Sequence, residues 1–262
     1  MELDLKGRTA LVTGGSQGIG RAIASALAGE GVEVAIIARD TETLMQAAVE
    51  IGDDTGDRVL AFPGDMSSAQ QVERLAAQAA EGLGRVDILV NNAGSAPAGR
   101  LAAMADETWD DAFALKLMGY VRMARALAPA MRERRWGRVI NIVGRQGHQP
   151  SADGIIGGPV NAAVQNFTVA LAEECGPDNV LVNAINPGPI RTARHVRLVK
   201  QRAEVRGVSE QEIEQRILAS VPLGRFGEPQ EIAAVAAFLC SDRAGYITGT
   251  MVNVDGGGTR RV

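Results

Sequence analysis

Cysteine, histidine and aromatic residues are scarce in this chain of 262 residues. Its two cysteines, Cys175 and Cys240, are too few for a disulfide scaffold, and its two histidines, His148 and His195, offer no spacing typical of a metal site. Both cysteines lie in apolar, helix-like stretches, so we expect buried free thiols and no bound metal. Aromatic residues make up only 3% of the chain, which indicates a core of aliphatic side chains.

Long apolar runs and an excess of positive charge are also absent. The longest apolar run, Ile232–Cys240, has nine residues, whereas a membrane-spanning helix needs roughly 20. The first six residues contain no apolar core of a secretory signal. A formal net charge of −4 provides no general attraction to nucleic acid or to an anionic membrane. We therefore expect a soluble, cytoplasmic protein that acts on a small-molecule substrate, with no nucleic-acid or membrane partner.

The sequence instead alternates short apolar runs with longer amphipathic segments. The apolar runs are rich in Val and Ile and contain few polar residues, which is typical of strands buried on both faces of a parallel sheet. The predicted strands are Thr9–Thr13, Glu33–Ile37, Val59–Phe62, Ile88–Asn91, Val139–Val143, Leu181–Asn186 and Met251–Val254. The predicted helices are Gly18–Glu30, Glu42–Ile51, Ala69–Gly84, Asp110–Arg134, Pro159–Glu174 and Pro229–Ser241.

This alternation predicts an α/β fold with a single, doubly wound parallel sheet of the Rossmann type. No linker or internal repeat divides the chain, so we expect one domain over residues 1–262. The one long break between strands, Pro187–Glu228, contains two charged helical stretches. We interpret an insertion over approximately residues 190–225 as a helical lid at the carboxyl edge of the sheet.

A glycine-rich turn joins the first predicted strand to the first predicted helix. It reads Thr13-Gly14-Gly15-Ser16-Gln17-Gly18-Ile19-Gly20. The glycines allow a sharp turn and a close approach of the backbone to a pyrophosphate, while the helix start supplies free N–H groups. The spacing is T-G-x-x-x-G-x-G, which differs from the wider G-x-G-x-x-G pattern. A turn without a ligand is the alternative, but the position at a strand-to-helix transition favours a nucleotide.

Two further motifs follow later strands. Asn91-Asn92-Ala93-Gly94 comes after the fourth strand and Pro187-Gly188-Pro189-Ile190-Arg191-Thr192 after the sixth. With the glycine turn, Arg225–Pro229 and the closing segments 246–249 and 255–257, they make nearly the whole chain resemble the short-chain dehydrogenase/reductase family. The resemblance implies one Rossmann-type domain with a seven-stranded parallel sheet and a bound NAD or NADP. It also implies a homotetramer or homodimer built on the fifth and sixth helices.

The resemblance assigns cofactor contacts to turns at the strand ends. Asp65 and Met66 match the pair that contacts adenine, and segment 92–94 matches the ribose side. Ile190 and Thr192 match positions that hold the nicotinamide carboxamide, although Asn, Gly and Pro also form turns without a ligand. The complete predicted cofactor set is Gly14, Ser16, Gln17, Gly18, Ile19, Gly20, Arg39, Asp65, Met66, Asn92, Ala93, Gly94, Asn161, Pro187, Gly188, Ile190 and Thr192.

The end of the second strand bears on the choice between NADP and NAD. NAD-binding members of the family place an acidic residue there, whereas this chain has Ala38 followed by Arg39. A guanidinium can pair with a 2′-phosphate, which favours NADP, with NAD as the alternative. Asp40 could instead capture Arg39 or the ribose.

The family's catalytic residues do not occur in this sequence. Family chemistry uses a Tyr and a Lys four residues apart, a Ser and an Asn, but neither Tyr120 nor Tyr246 is followed four residues later by a Lys. Alignment by the flanking motifs places Gly157 at the Tyr position and Asn161 at the Lys position. It also places Gly144 at the Ser position and Lys116 at the Asn position. The two glycines leave more room, either for a bulkier substrate or for water.

Lys116 and Asn161 are the catalytic candidates that remain. Lys116 could orient or protonate a substrate oxygen or form an imine, or it could pair with a carboxylate. Asn161 could keep the ribose contact, while His148 and His195 are interpreted as solvent-facing. We expect an NADP(H)-binding oxidoreductase with an atypical active site, acting on an unknown hydroxyl- or oxo-bearing small molecule. The alternatives are an inactive nucleotide-binding subunit or sensor and, last, a non-redox enzyme of the same fold.

Overall fold

A sheet of seven parallel strands forms the centre of the computed structural model, which describes residues 2–260. Its strand order is β3-β2-β1-β4-β5-β6-β7, and each pair of neighbours is parallel. The strands are β1 Thr9–Thr13, β2 Glu33–Ala38, β3 Leu60–Pro63, β4 Ile88–Asn91, β5 Gly137–Ile142, β6 Val180–Pro187 and β7 Met251–Val254. The predicted doubly wound Rossmann-type sheet is confirmed.

Helices cover both faces of the sheet. They are α1 Gly18–Gly29, α2 Thr41–Thr55, α3 Ala69–Leu83, α4 Asp106–Ala112, α5 Gly119–Glu133, α6 Gly157–Cys175, α7 Ala193–Arg206, α8 Glu210–Ala219 and α9 Pro229–Cys240. Short 3-10 turns occupy Leu101–Ala103, Arg145–Gly147, Gly176–Asp178 and Asp242–Ala244. No helix within residues 2–260 is long and apolar enough to cross a membrane.

One predicted helix, Asp110–Arg134, differs from the structure. A π-helical turn, Phe113–Met118, separates α4 from α5, and the helix starts four residues earlier than expected, at Asp106. A π turn inserts one extra residue per turn, so it changes which side chains face the sheet. The single regular helix of the sequence-based prediction was wrong for this reason.

The core consists of two apolar layers, one on each side of the sheet. In β1 the side chains alternate, with Val12 packing among residues of α1, α2 and α9, and Leu11 among residues of α3 and α5. All five residues of β1 are buried, as expected for a strand covered on both faces. Cys175 and Cys240 are buried free thiols, as predicted, and burial raises the pKa of Cys240 to about 12.

The strand order creates a crevice at the carboxyl edge of the sheet. β1 lies between β2 and β4, so the connections leaving β1 and β4 run to opposite faces of the sheet. Such a switch point is where ligands bind in open α/β sheets. The long connection from β6 to α9 contains α7 and α8, and it begins at this edge of the sheet, where β6 ends.

Candidate functional site

The glycine-rich turn after β1 has a backbone that only glycine adopts easily. Gly14 and Gly18 have φ angles of +67° and +58°. A Cβ on Gly20 would overlap the carbonyl oxygen of Gly14, so α1 packs closely on the turn. Asn92 braces the turn, since its Nδ2 donates to the carbonyl oxygens of Thr13 and Gly14, each at 3.0 Å. The turn is therefore tight and rigid.

The N-terminus of α1 is open to a ligand. Gln17 precedes the helix in an extended conformation, and its side chain makes no capping hydrogen bond. By contrast, the side chains of Asp40 and Ser68 cap α2 and α3 by accepting hydrogen bonds from backbone N–H groups in the first turn of each helix. The first N–H groups of a helix have no partner within it, so those of α1 remain available to an acceptor.

Predicted cofactor residues that follow two other strands meet this turn. Thr13 Oγ1 accepts from the backbone N–H groups of Asn92 and Ala93, at 2.9 and 3.1 Å, which fixes the segment after β4. A Cβ on Gly18 would lie 3.3 Å from Cγ2 of Thr192, so the segment after β6 also reaches the turn. Thr192 additionally caps α7 by accepting from His195 N at 3.2 Å.

The remaining residues of the predicted set lie along the same edge. Ser16 is buried and Ile19 packs against the core below the turn. Pro187 ends β6, and Gly188 N donates to Val254 O at 3.0 Å. Ile190 is buried, with its neighbours paired to Gly227 by backbone hydrogen bonds.

Arg39 and Asp40 occupy distinct environments at the end of β2. Asp40 Oδ1 accepts from Thr43 N at 2.8 Å, and this cap lowers the pKa of the carboxyl group. Arg39 is exposed and makes no hydrogen bond or ion pair with any residue between 2 and 260. Asp40 is thus engaged by its helix rather than by Arg39.

Asp65 and Met66 differ in what they can offer. The Asp65 carboxylate, just after β3, accepts a hydrogen bond from Ser67 N at 2.9 Å and remains partly exposed. Met66 is only 3% exposed, and its side chain packs in the core. A contact of Met66 with a ligand must therefore come from its backbone.

Lys116 points into the cleft from the π-helical turn. Its Nζ donates to Val143 O at 2.7 Å, and its side chain passes Gly94, where a Cβ would lie 2.9 Å from Lys116 Cδ. No carboxylate pairs with Lys116 among the described residues, so the alternative of an ion pair is wrong. Burial, with a smaller contribution from the charge of Arg194, lowers the pKa of Lys116 to about 7.

Asn161 and Gln146 fill part of the space beside the two glycines. Gly144 has a φ of +139°, and a Cβ there would lie 3.1 Å from Nδ2 of Asn161. A Cβ on Gly157 would lie 2.6 Å from Oε1 of Gln146. The expected open room is therefore partly occupied by two amide side chains.

The two tyrosines of the chain have opposite surroundings. Tyr120 is 1% exposed, and its hydroxyl donates to Ile142 O at 2.9 Å, while Tyr246 is fully exposed. Burial raises the pKa of Tyr120 above its usual range.

Both histidines are packed rather than solvent-facing, which corrects the prediction. His148 Nε2 lies 2.9 Å from Nδ2 of Asn186, a fully buried residue at the end of β6. Because that amide nitrogen is a donor, His148 Nε2 is the acceptor. The His195 ring packs against the ring of Phe226, with 4.5 Å between the ring centroids and 58° between the planes. Desolvation lowers the pKa of His195.

Arg194 and Gln146 belong to this cleft but were missed from the sequence. Arg194 Nη1 donates to Gly94 O, which links α7 to the segment after β4. Its position two residues after Thr192 is a signal, because the first turn of α7 starts at the crevice. Gln146 carries no such signal, since only the loop conformation brings it to Gly157.

Comparisons with known proteins agree with this architecture. A family model described as enoyl-(acyl carrier protein) reductase matches residues 14–259. The chain is 35% identical to the 3-oxoacyl-acyl-carrier-protein reductase FabG of Aquifex aeolicus (strain VF5), over 98% of this chain and 99% of that protein.

Solved structures show the same fold with different nicotinamide nucleotides. L-Sorbose reductase from Gluconobacter frateurii, complexed with NADPH and L-sorbose, is 35% identical, with a TM-score of 0.93 and coverage of 100% of both chains. An NAD⁺-bound xylitol dehydrogenase is 26% identical, with a TM-score of 0.93 over 97% of this chain and 100% of that one. The fold is therefore compatible with either nucleotide.

Proposed function

The chain belongs to the short-chain dehydrogenase/reductase family, and from this premise we propose that it is an NADP(H)-dependent oxidoreductase with an atypical proton donor. Its substrate would be an oxo- or hydroxyl-bearing small molecule. One observation carries the proposal: Lys116, held on Val143 O, shares a cleft with the open start of α1.

The residues at the carboxyl edge fit a dinucleotide. Side chains at Gly14 or Gly20 would fill the turn, and the uncapped N–H groups of α1 suit a pyrophosphate. We assign the turn from Gly14 to Gly20 to the pyrophosphate, Asp65 and the Met66 backbone to adenine, and segment 92–94 with Asn161 to the ribose. Ile190 and Thr192 would hold the carboxamide, and Pro187 and Gly188 complete the proposed cofactor contacts. When bound, the nucleotide supplies hydride-transfer chemistry.

Arg39 supports NADP(H) over NAD(H). Its guanidinium is exposed and unpaired within residues 2–260, while Asp40 is engaged as the cap of α2. A free guanidinium at the end of β2 can pair with a 2′-phosphate.

We assign proton transfer to Lys116, because the family's Tyr, Lys and Ser positions correspond to Gly157, Asn161 and Gly144. A pKa of about 7 lets Lys116 donate or accept a proton near neutral pH. The hydrogen bond to Val143 O orients the amine, which can still donate there after losing a proton.

We also propose one domain over residues 1–262, with α7 and α8 as a mobile lid at approximately residues 190–225. Arg206 of α7 forms an ion pair with Asp153 beside the site, a contact that can hold such a lid closed. From family membership we propose a homotetramer or homodimer. An inactive nucleotide-binding subunit is the second candidate, favoured by the absence of a tyrosine at position 157.

Fluorescence titration with NADPH tests the cofactor site. We expect wild type to bind NADPH and Gly18→Val to lose binding, since a β-branched residue at φ +58° distorts the turn and points at Thr192. Gly29→Val is the matched control, because Gly29 lies at the end of the same helix with no atoms near a Cβ. Equal binding by all three proteins would contradict the proposed site.

Turnover separates the two candidate functions. NADPH consumption should be followed for the wild type across a panel of ketones and aldehydes. Selective turnover of some members supports an oxidoreductase, whereas tight NADPH binding without any turnover supports the binding subunit.

A further inference from the structure

Two arginines pair with one buried carboxylate beside the proposed site, and two further arginines lie near them. Asp153 lies in the loop between β5 and α6 and is 6% exposed. Arg206, near the C-terminal end of α7, donates to Asp153 through Nε at 2.8 Å, and Arg100 approaches it to 3.5 Å. Arg202 and Arg145 complete this group, which we call the arginine cluster.

The guanidinium groups of Arg202 and Arg145 form no direct contact with an anion among the described residues. Neither side chain makes a hydrogen bond or an ion pair within the range 2–260, and Arg202 Nε is buried without an acceptor. Burial lowers the pKa of Arg202, Asp153 raises it, and the charges of Arg206 and Arg145 lower it further. Buried N–H groups normally have acceptors, and like charges repel, so an anionic acceptor beside Arg202 would stabilise this arrangement.

Two residues of the arginine cluster lie close in sequence to the proposed catalytic positions. Arg145 directly follows Gly144, and Asp153 precedes Gly157 by four residues. The backbone oxygen of Asp153 accepts a hydrogen bond from Gly99 N at 2.8 Å. Arg145 also reaches the segment after β7, where a Cβ on Gly258 would overlap its Nη1. The glycine turn that would hold the nucleotide phosphates follows β1, which is separated from β5 by β4 in the sheet.

We propose that the substrate carries an oxyanion, a carboxylate or a phosphate, which Arg145 and Arg202 bind. Arg202 donates from its unpaired Nε, and Arg145 supplies a second guanidinium. Asp153 holds Arg206 and Arg100 in place, so the one carboxylate positions the cluster without neutralising it. Four guanidinium groups against one carboxylate leave an excess of positive charge for the ligand. This inference rests on the proposed function where it names the bound anion as the substrate of the reaction. The binding of the anion itself does not depend on that function.

The test measures binding by isothermal titration, without turnover. Acetoacetate and its neutral analogue methyl acetoacetate are titrated into wild type, with and without NADPH, and inorganic phosphate is titrated as a third probe. We expect at least one oxyanion to bind about tenfold or more tightly than the ester, and added salt to weaken only the oxyanion. Preference for acetoacetate indicates a carboxylate substrate, and preference for phosphate indicates a phosphate ester.

Arg202→Gln and Arg145→Gln should each weaken the oxyanion about tenfold and leave the ester unchanged. Lys200→Gln is the control, because it removes one exposed positive charge from the same helix outside the cluster. The proposal is overturned if wild type binds both oxyanions no better than the ester, or if Lys200→Gln loses as much as Arg202→Gln. If wild type does not bind NADPH but still binds an oxyanion more tightly than the ester, only the proposed function is contradicted.

Discussion

At the scale of single residues, Lys116 differs from a surface lysine in what surrounds its ammonium group. Burial and the nearby charge of Arg194 disfavour the charged form, and within the described residues Val143 O is the one acceptor of a hydrogen bond from Nζ. The pKa of about 7 lies below the ordinary value for lysine. Both protonation states are therefore present near neutral pH.

Activity should titrate with Lys116. Because reduction needs the ammonium form as proton donor, we expect kcat/KM for those panel substrates that wild type reduces selectively to be highest below pH 7 and to fall as pH rises through about 7. The oxidation direction should show the opposite slope. Lys116→Met should lower the rate roughly 10²–10⁴-fold and remove this titration. Lys116→Arg keeps a charge that does not titrate in this range, so a fall near pH 7 in that variant would contradict the assignment.

Arg39 should discriminate between the two nucleotides. Arg39→Ala is expected to weaken NADPH binding by about 1.5–3 kcal/mol, the scale of a charge-assisted hydrogen bond, and to leave NADH nearly unchanged. Fluorescence titration of both nucleotides measures the difference. Equal losses for NADPH and NADH would show a structural role for Arg39 and would favour NAD.

Residue-level prediction succeeded where a motif fixes the position. Lys116 was expected to face inward because it matches the family's Asn position, and the glycine turn was expected from its strand-to-helix position. Gln146 and Arg202 could not be found this way, because their roles depend on how a loop and α7 fold back over the sheet.

At the scale of elements, end residues explain the differences between predicted and observed boundaries. The apolar pattern of α2 predicted residues 42–51, but the helix runs from Thr41 to Thr55. Asp40 caps its start, and Gly56 ends it with a φ of +82°. Polar residues can extend a helix beyond its apolar face, so hydrophobic periodicity alone underestimates its length.

Substitutions of Asp40 distinguish its role as the cap of α2 from a role as a contact of the cofactor ribose. Asp40→Ala should lower the melting temperature, since Thr43 N loses its acceptor, whereas Asp40→Asn should preserve stability because Asn also caps helices. We expect the ratio of NADPH to NADH affinity to change less than about threefold in either variant, as for other exposed charges. A large loss of NADH affinity in Asp40→Asn would instead assign Asp40 to the ribose.

At the scale of the whole molecule, the proposed nucleotide contacts and the proposed catalytic positions share one edge of the sheet. The proposed nucleotide contacts follow β1, β2, β3, β4 and β6. The positions to which the resemblance assigns chemistry are Gly144 after β5, Gly157 and Asn161 on α6, and Lys116 in the π-helical turn. Because all seven strands of the sheet are formed, the proposed differences concern side chains rather than the scaffold.

An intact scaffold should accept the family's catalytic pair. Gly157 has an ordinary backbone conformation at the start of α6, and the atom nearest to a new Cβ belongs to the flexible side chain of Gln146. The triple variant Gly157→Tyr, Asn161→Lys and Gln146→Ala should therefore reduce simple ketones roughly 10²-fold or more faster than wild type. The measurement is NADPH consumption with saturating cofactor.

Phenylalanine provides the matched control for this gain. Gly157→Phe with the same two changes at Asn161 and Gln146 fills the space equally but has no hydroxyl to donate, so it should stay at the wild-type rate. A Ser at Gly144 is omitted because a φ of +139° strains any side chain. If the tyrosine and phenylalanine variants are equally slow while both bind NADPH, Gly157 does not occupy the proton-donor position. Fast reduction of simple ketones by wild type would show that a donor other than a phenol already acts efficiently at this site.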